Sequence, residues 1–292
     1  MRRIGEVLRE VWRRPRGAFG LVVVALVLLV AAVSLVWLPH PLLQSNPAER
    51  WSGPSLSHPL GQDGIGRDTL TWLMVGTQAT VKVVVGSTVV AALVGLPLGA
   101  ATALLHARVA EPLIVVVDIL IAFPTLLLAM VLAAPFGGSL GTVILAVGFA
   151  SGITISRITR PEIRKVAKAD YLLASRAAGA GAVRRLVGHI LPNVAPIALV
   201  QLSIVAAVSI LAEAGLTYLG YGAPNGMPSW GRSLSDSQAS LQVAPLAVVW
   251  PGLAIGLTVL ALNLLGDALR EATDPRLRRT RQPAAGVITG VA

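Results

Sequence analysis

Long apolar runs separated by short polar stretches cover most of this chain. The first, Gly17 to Leu38, carries no charged residue and is long enough to cross about 30 Å of hydrocarbon. Further runs extend from Val83 to Leu105, Leu113 to Ala134, Ser139 to Ser156, Val194 to Ala212 and Val243 to Leu265. The Ser139 run is shorter and glycine-rich; it counts as a span because six crossings put both termini and the loop after Asp170 on one side. Pro97, Pro124 and Pro251 lie inside runs, where they should kink helices and free backbone groups. Gly95 to Gly99 and Gly252 to Gly256 have the spacing that lets helices approach closely, and both predict packing.

Ahead of the first run, Ile4, Val7, Leu8, Val11 and Trp12 share one helical face, with arginines on the other. That pattern predicts a helix lying in the membrane interface. The apolar run behind it exceeds the 7 to 15 residues of a cleaved signal, so it reads as a retained anchor.

Composition agrees. Apolar residues are 54% of the chain and charged ones 13%, with a mean hydropathy of +0.74, too apolar for a soluble domain of 292 residues. The net charge of +10 could suggest nucleic acid, but its distribution points elsewhere. With six spans, 20 of the 24 basic residues fall on the side holding the termini, which is the positive-inside signature of a cytoplasmic face. The basic residues therefore set topology and meet anionic lipid. The absence of cysteine rules out disulfides, thiolate metal sites and a cysteine nucleophile.

Between the fourth and fifth runs lies a basic insert, DYLLASRAAGAGAVRRLVGHILPN, from Asp170 to Asn193. Asp170 is a suitable N-cap, Tyr171 to Ala178 can be helical, and Gly179 stands where a helix end wants positive φ. Val183, Leu186, Val187 and Ile190 then recur at helical spacing, and Pro192 is expected to stop that second helix. The pattern predicts helix, glycine corner, helix. Two turns alone are marginal in water, so the first piece needs something to pack against.

Tyr171, Ala174, Arg176, Ala177, Gly179 and Ala180, followed by His189, Ile190, Leu191, Pro192 and Asn193, resemble the EAA loop of the membrane subunits of ABC importers. His58-Pro59-Leu60-Gly61 with Gly66-Arg67-Asp68 resembles the segment before the second membrane helix of dipeptide and oligopeptide permeases. Ala212 to Leu216, Leu219-Gly220, Pro228 to Gly231, Pro251 to Ala254 and Asn263 to Asp267 resemble the C-terminal half of the same subunits. Roughly residues 1 to 275 are covered. One departure stands out: Leu173-Ala174-Ser175 occupies the place of Glu-Ala-Ala, so the carboxylate that names the motif is missing.

The resemblance implies an all-α integral membrane protein with the six-helix type I ABC importer permease fold and an N-terminal interfacial helix. It implies a C-type subunit of the peptide/nickel branch in a bacterial inner (plasma) membrane, with both termini cytoplasmic. Residues 1–77 would hold the amphipathic helix, the first span and an extracytoplasmic segment. Residues 78–275 would form the permease core around a coupling loop at 168–193, and 276–292 a basic tail expected to be disordered. The implied partners are a homologous second permease subunit, two ATPase subunits that hold ATP and magnesium, and an extracytoplasmic binding protein. No cofactor is expected on this chain. Contact with the ATPase is expected at Asp170, Tyr171, Leu172, Leu173, Ala174, Ser175, Arg176, Ala177, Ala178, Gly179 and Ala180, with His189 and Pro192 in the strut behind.

Missing chemistry narrows the reading. None of the three lysines follows a glycine, so there is no phosphate-binding GxxxxGK[ST] loop. Gly61, Gly64 and Gly66 have no strand before them, which makes a dinucleotide loop implausible. His40, His58, His106 and His189 are scattered singly, and their spacing predicts loop histidines without a metal site.

Asp118 is the anomaly within the third run. Its insertion penalty of roughly 2.5–3.5 kcal/mol is outweighed by about 4–8 kcal/mol from fourteen Leu, Ile, Val and Phe residues around it. It reaches the interface or a neighbouring helix, or else serves coupling or gating. Glu213, toward the outer end of the stretch from Val194 to Leu219, lines a passage or gate or pairs with a partner subunit. The loop Tyr221 to Ala244, with Trp230, is by resemblance a gate or a docking surface for the binding protein. Asp118, Glu213 and Trp230 are thus the candidates for the translocation path.

The expected activity is import of dipeptides or oligopeptides by alternating access, without covalent chemistry on this chain. Nickel or glutathione uptake is the alternative within the class. A secondary transporter with Asp118 and Glu213 as a proton relay, or a scaffold without transport, are the alternatives outside it.

Overall fold

The computed structural model describes residues 4–273; its regular elements are all helices, and the only extended pairing among these residues is a single bridge between Gln62 and Asp68. The tail expectation for 276–292 lies outside the described residues. The helices are α1 (Ile4–Trp12), α2 (Pro15–Val33), α3 (Thr69–Leu104), α4 (Ala107–Ile121), α5 (Thr125–Ala133), α6 (Leu140–Ala167), α7 (Asp170–Ala177), α8 (Ala182–Arg185), α9 (Leu191–Tyr218), α10 (Trp230–Ser237) and α11 (Pro245–Thr273). Five spans are long and apolar enough to cross a membrane, one of them α8 and α9 running together, and α4 with α5 makes a sixth if that bent pair is one crossing.

That pair carries the sharpest of the kinks expected at prolines. The run Leu113 to Ala134 was expected as one span, but its two helices meet at 96°. Pro124 explains the break: it lacks an N–H, and its ψ of 134° turns the chain out of helix before Thr125 restarts it. By contrast, α3 absorbs Pro97 and α11 absorbs Pro251 without ending.

The central seam is α3 against α6. In lipid no hydrophobic force drives helices together, so close backbone approach must supply the attraction. Gly95 answers that need, since a Cβ there would stand 2.7 Å from the Gly152 carbonyl. The spacing Gly148 to Gly152 on α6, unnoticed in the sequence, completes the seam: a Cβ at Gly148 would stand 2.6 Å from Val90 Cβ. A Cβ at Gly252 or Gly256 would meet nothing within 4 Å among the described residues, so the second predicted packing motif has no close partner there.

α9 closes on both helices of the seam, with Ala91, Ile155 and Val205 buried where the three meet. α11 and α2 flank it on one side, and α5 packs on the other. The amphipathic α1 docks through Val11 against Ala268 and Ala272 of α11, and Arg14 pairs with Glu271 and Glu10. Leu8 and Trp12 remain exposed on the same helix, as a membrane-interface element requires.

Between α2 and α3 a long loop folds back on the start of α3. Asp63 accepts from the backbone of Ile65 and Arg67 and from Arg67 Nε at 2.7 Å, and the Arg67 guanidinium lies 3.6 Å over Trp72. Gly66, at φ +76°, fits because any Cβ would strike the Asn46 carbonyl.

Candidate functional site

The insert forms a helical elbow against the far end of α3. Its first helix, α7, starts one residue earlier than expected: Ala169 is the N-cap, and Asp170 makes no capping bond. Asp170 still places a negative charge in the first turn, where the helix dipole favours it. The other end follows expectation. Gly179 has φ +80°, its N–H bonds the Arg176 carbonyl at 3.0 Å, and the Ala180 N–H bonds the Ser175 carbonyl at 3.0 Å. These two bonds are a Schellman ending, which the left-handed glycine makes possible.

One side chain anchors this helix. Leu172 is 4% exposed, packed in a cluster with Ala100 of α3, Ile163 of α6, Ile190 and Val194. Its neighbours Tyr171 and Leu173 are about half exposed; Ala174, Arg176, Ala177 and Ala178 are exposed too, and Ser175 is partly so. Val183 and Val187 on the second limb are exposed as well. The elbow thus presents apolar side chains outward while one leucine fixes it to three long helices.

Pro192 does not stop the second helix. The chain passes from α8 through one wider turn, in which the Leu191 N–H reaches back five residues to the Leu186 carbonyl, and continues as α9. The wider turn makes room for a ring that would clash with the carbonyl four residues back. Asn193 Nδ2 donates to the His189 carbonyl at 2.6 Å. The His189 ring meets Tyr171 edge to face, joining the two limbs.

The other candidates lie apart. Asp118 on α4 is exposed and sits 3.7 Å from Arg157 of α6. Glu213 is 2% exposed, accepts a bond from Thr217 Oγ1 at 2.8 Å and is also bonded by the Ser229 hydroxyl. Ser229 caps α10 through the Arg232 N–H, and Trp230, 3% exposed, donates its indole N–H to the Leu73 carbonyl of α3 at 3.1 Å. Gly231 lets this short helix sit on α9, since a Cβ would stand 2.6 Å from Ala214 Cα. Glu213 and Trp230 are therefore neighbours in one joint between α3, α9 and α10. Asp118 shares no partner with either.

A cleft of about 380 Å³ opens beside that joint, lined by Trp51, Asp63, Arg67, Trp72 and Asp236 among others. Burial pushes the Asp236 carboxyl up from its ordinary value, against the opposing pull of Arg232 and then Arg67.

The family model for the binding-protein-dependent transport system inner membrane component matches residues 95–279. The chain is 40% identical to the dipeptide transport system permease protein DppC of Escherichia coli (strain K12), covering 93% of this chain and 94% of that one. This chain belongs to that permease family.

Other members are similar over nearly the whole length. The nickel transport system permease protein NikC of Escherichia coli (strain K12) is 33% identical, over 88% of this chain and 93% of its own. The glutathione transport system permease protein GsiD of Pectobacterium atrosepticum is 33% identical, over 92% and 91%. A permease chain from the inward-facing MetNI methionine ABC transporter superposes with a TM-score of 0.59 at 18% identity, covering 71% of this chain and all of that one. The fold is that of an ABC importer permease, and the protein is a multi-pass membrane subunit.

Sequence reasoning did not single out Leu172 from its neighbours, because spacing alone cannot say which of three adjacent apolar side chains turns inward. It also missed a grouping in the loop before α3. His40 and His58, 18 positions apart, stack with ring centroids 4.4 Å apart, and His58 Nδ1 lies 2.9 Å from Asp68. No local motif signals a contact made by chain reversal.

Proposed function

We propose that this permease imports dipeptides or oligopeptides, driven through the Asp170 to Ala180 elbow by a separate ATPase. The observation that carries the proposal is the split character of α7, with Leu172 sunk among three long helices while Tyr171 and Leu173 face out. A partner that grips the outer side and moves it drags Leu172, and with it the ends of α3, α6 and α9. Leu173 fits this role without a carboxylate, because an apolar side chain adds contact area to the grip where the usual glutamate would add charge.

The working assembly pairs this chain with a homologous permease, two ATPase subunits holding ATP and magnesium, and an extracytoplasmic binding protein. Both termini and the elbow lie in the cytoplasm, a reading supported by the concentration of basic residues on that side. The substrate class follows DppC, at 40% identity, rather than the nickel and glutathione permeases at 33%. Residues 1–77 attach to a core formed by 78–275, and the joint of Glu213 and Trp230 serves as the gate on the outer side.

This chain has no native cysteine, so Leu173→Cys gives it a single thiol. A single cysteine at Leu173, in the assembled complex in vesicles, should crosslink to the ATPase subunit and block ATP-dependent uptake of labelled dipeptide. If the crosslinker reaches position 173 only from the outer side, or uptake survives ATP depletion, the proposal fails.

A further inference from the structure

We propose that His40, His58 and Asp68 form a binding site for a divalent transition-metal ion of the zinc class, at the end of α3 remote from the elbow. One ring nitrogen of each histidine and a carboxylate oxygen of Asp68 all lie within 4.8 Å of one another. Two imidazoles and a carboxylate are a ligand set suited to zinc, with a fourth position left for water.

The surroundings are arranged as ligands need. The His40 Nε2 nitrogen faces the Ser57 carbonyl at 2.8 Å, which requires the proton there and leaves the lone pair on Nδ1. Asp68 is oriented by Thr71, whose N–H and hydroxyl both donate to Oδ2 at 2.7 Å, so Oδ1 is the oxygen turned to His58. His58 Nδ1 and Asp68 Oδ1, 2.9 Å apart, stand close to the separation of two ligands on one ion whose bonds are about 2.0–2.1 Å. The ion would replace the proton these two atoms now share.

Two further observations fit a cation at this place. The Asp68 side chain is 2% exposed, yet no lysine or arginine pairs with it among the described residues; Arg67 turns away to Asp63 and Trp72. The charge within its reach is the proton shared with His58, and a divalent ion in that place would compensate so deeply buried a carboxylate more fully. Gln62, also buried, places its amide nitrogen 3.2 Å from His58 Nε2 while its Oε1 has no hydrogen-bond partner. With an ion on Nδ1 the His58 proton sits on Nε2, and a half-turn of the Gln62 amide brings Oε1 round to accept it.

The consequence is mechanical. His40 follows α2, His58 sits mid-loop and Asp68 caps α3, so one ion ties three separate stretches to the start of the central helix. Leu73, which holds Trp230, lies only about 7.5 Å further along the α3 axis.

The test uses the assembled complex, purified with a tag free of histidine, stripped with chelator, desalted and titrated with zinc chloride. Wild type should retain one more zinc per permease chain than His40→Ala, and zinc should raise the thermal midpoint of wild type alone. His40→Ala carries the comparison because it leaves the His58–Asp68 bond and the Asp68 cap intact. Cobalt in place of zinc should give visible ligand-field bands in wild type that vanish in the variant. Equal zinc content in the two proteins, or cobalt bands that persist in His40→Ala, overturns the proposal. Neither readout depends on transport or on the elbow.

Discussion

Tyr171 on the first limb of the elbow and His189 on the second meet edge to face, with ring centroids 6.4 Å apart and planes 66° from each other. Aromatic pairs of this geometry add about 0.5–1.5 kcal/mol beyond the area they bury. The pair bridges a glycine corner that has few other cross-contacts. His189→Ala should therefore loosen the limbs and lower uptake per ATP hydrolysed severalfold while leaving subunit assembly intact, as read by parallel uptake and phosphate-release assays. Unchanged coupling would deny the pair a mechanical role.

Leu172 and Leu173 offer a neighbouring contrast. Leu172→Ala removes a side chain packed against three helices and should cost about 2–5 kcal/mol in thermal or denaturant unfolding in detergent. Leu173→Ala, on the exposed side, should shift stability by less than about 0.5 kcal/mol yet weaken ATPase association. The reverse order of stabilities would mean that α7 is rotated from the orientation described.

Gly179 and Gly181 form a second matched pair. Gly179→Ala forces a Cβ into a left-handed conformation and should cost about 1–2 kcal/mol, although nothing crowds the site. Gly181, with φ −62° and equal free space, should accept alanine without loss. Melting curves of the two variants side by side decide the matter.

At the other end, Gly231→Ala should be severe, because its Cβ would overlap backbone at Ala214 rather than a flexible side chain. Trp230→Phe keeps the packing and loses the bond to the Leu73 carbonyl, which still receives Thr77 Oγ1, so about 1 kcal/mol is expected. Thermal midpoints that rank the tryptophan change above the glycine change would contradict the joint as drawn.

Asp236 supplies a pH dependence. Because burial raises its carboxyl in the folded state, its contribution to stability is full below the unfolded value of about 4 and is lost as pH rises through the folded one. Asp236→Asn should flatten the melting profile from pH 4 to 7, by under about 1 kcal/mol for a half-exposed group. A variant that loses stability relative to wild type over that range would reverse the sign.

Much of the architecture was legible in apolar run lengths, because a bilayer demands them, and the glycine corner was legible because only Gly179 can close a Schellman ending there. The third span was not, since Pro124, Pro97 and Pro251 look alike in sequence and only surrounding packing decides which one breaks a helix. Pro192 misled for the same reason: a wider turn accommodates it, and no residue preference announces that turn. Of the path candidates, Glu213 and Trp230 are joined by a return of the chain through Ser229 that spacing does not encode.

The wider turn at Leu186 to Ile190 has a directional meaning. It is equivalent to one supernumerary residue in an otherwise regular helix, and each residue advances the azimuth by about 100°. Every side chain from Val194 to Tyr218 therefore looks along a compass bearing set by that single irregularity, and excising one residue there would swing Glu213 out of its polar nest while the helix itself stayed whole.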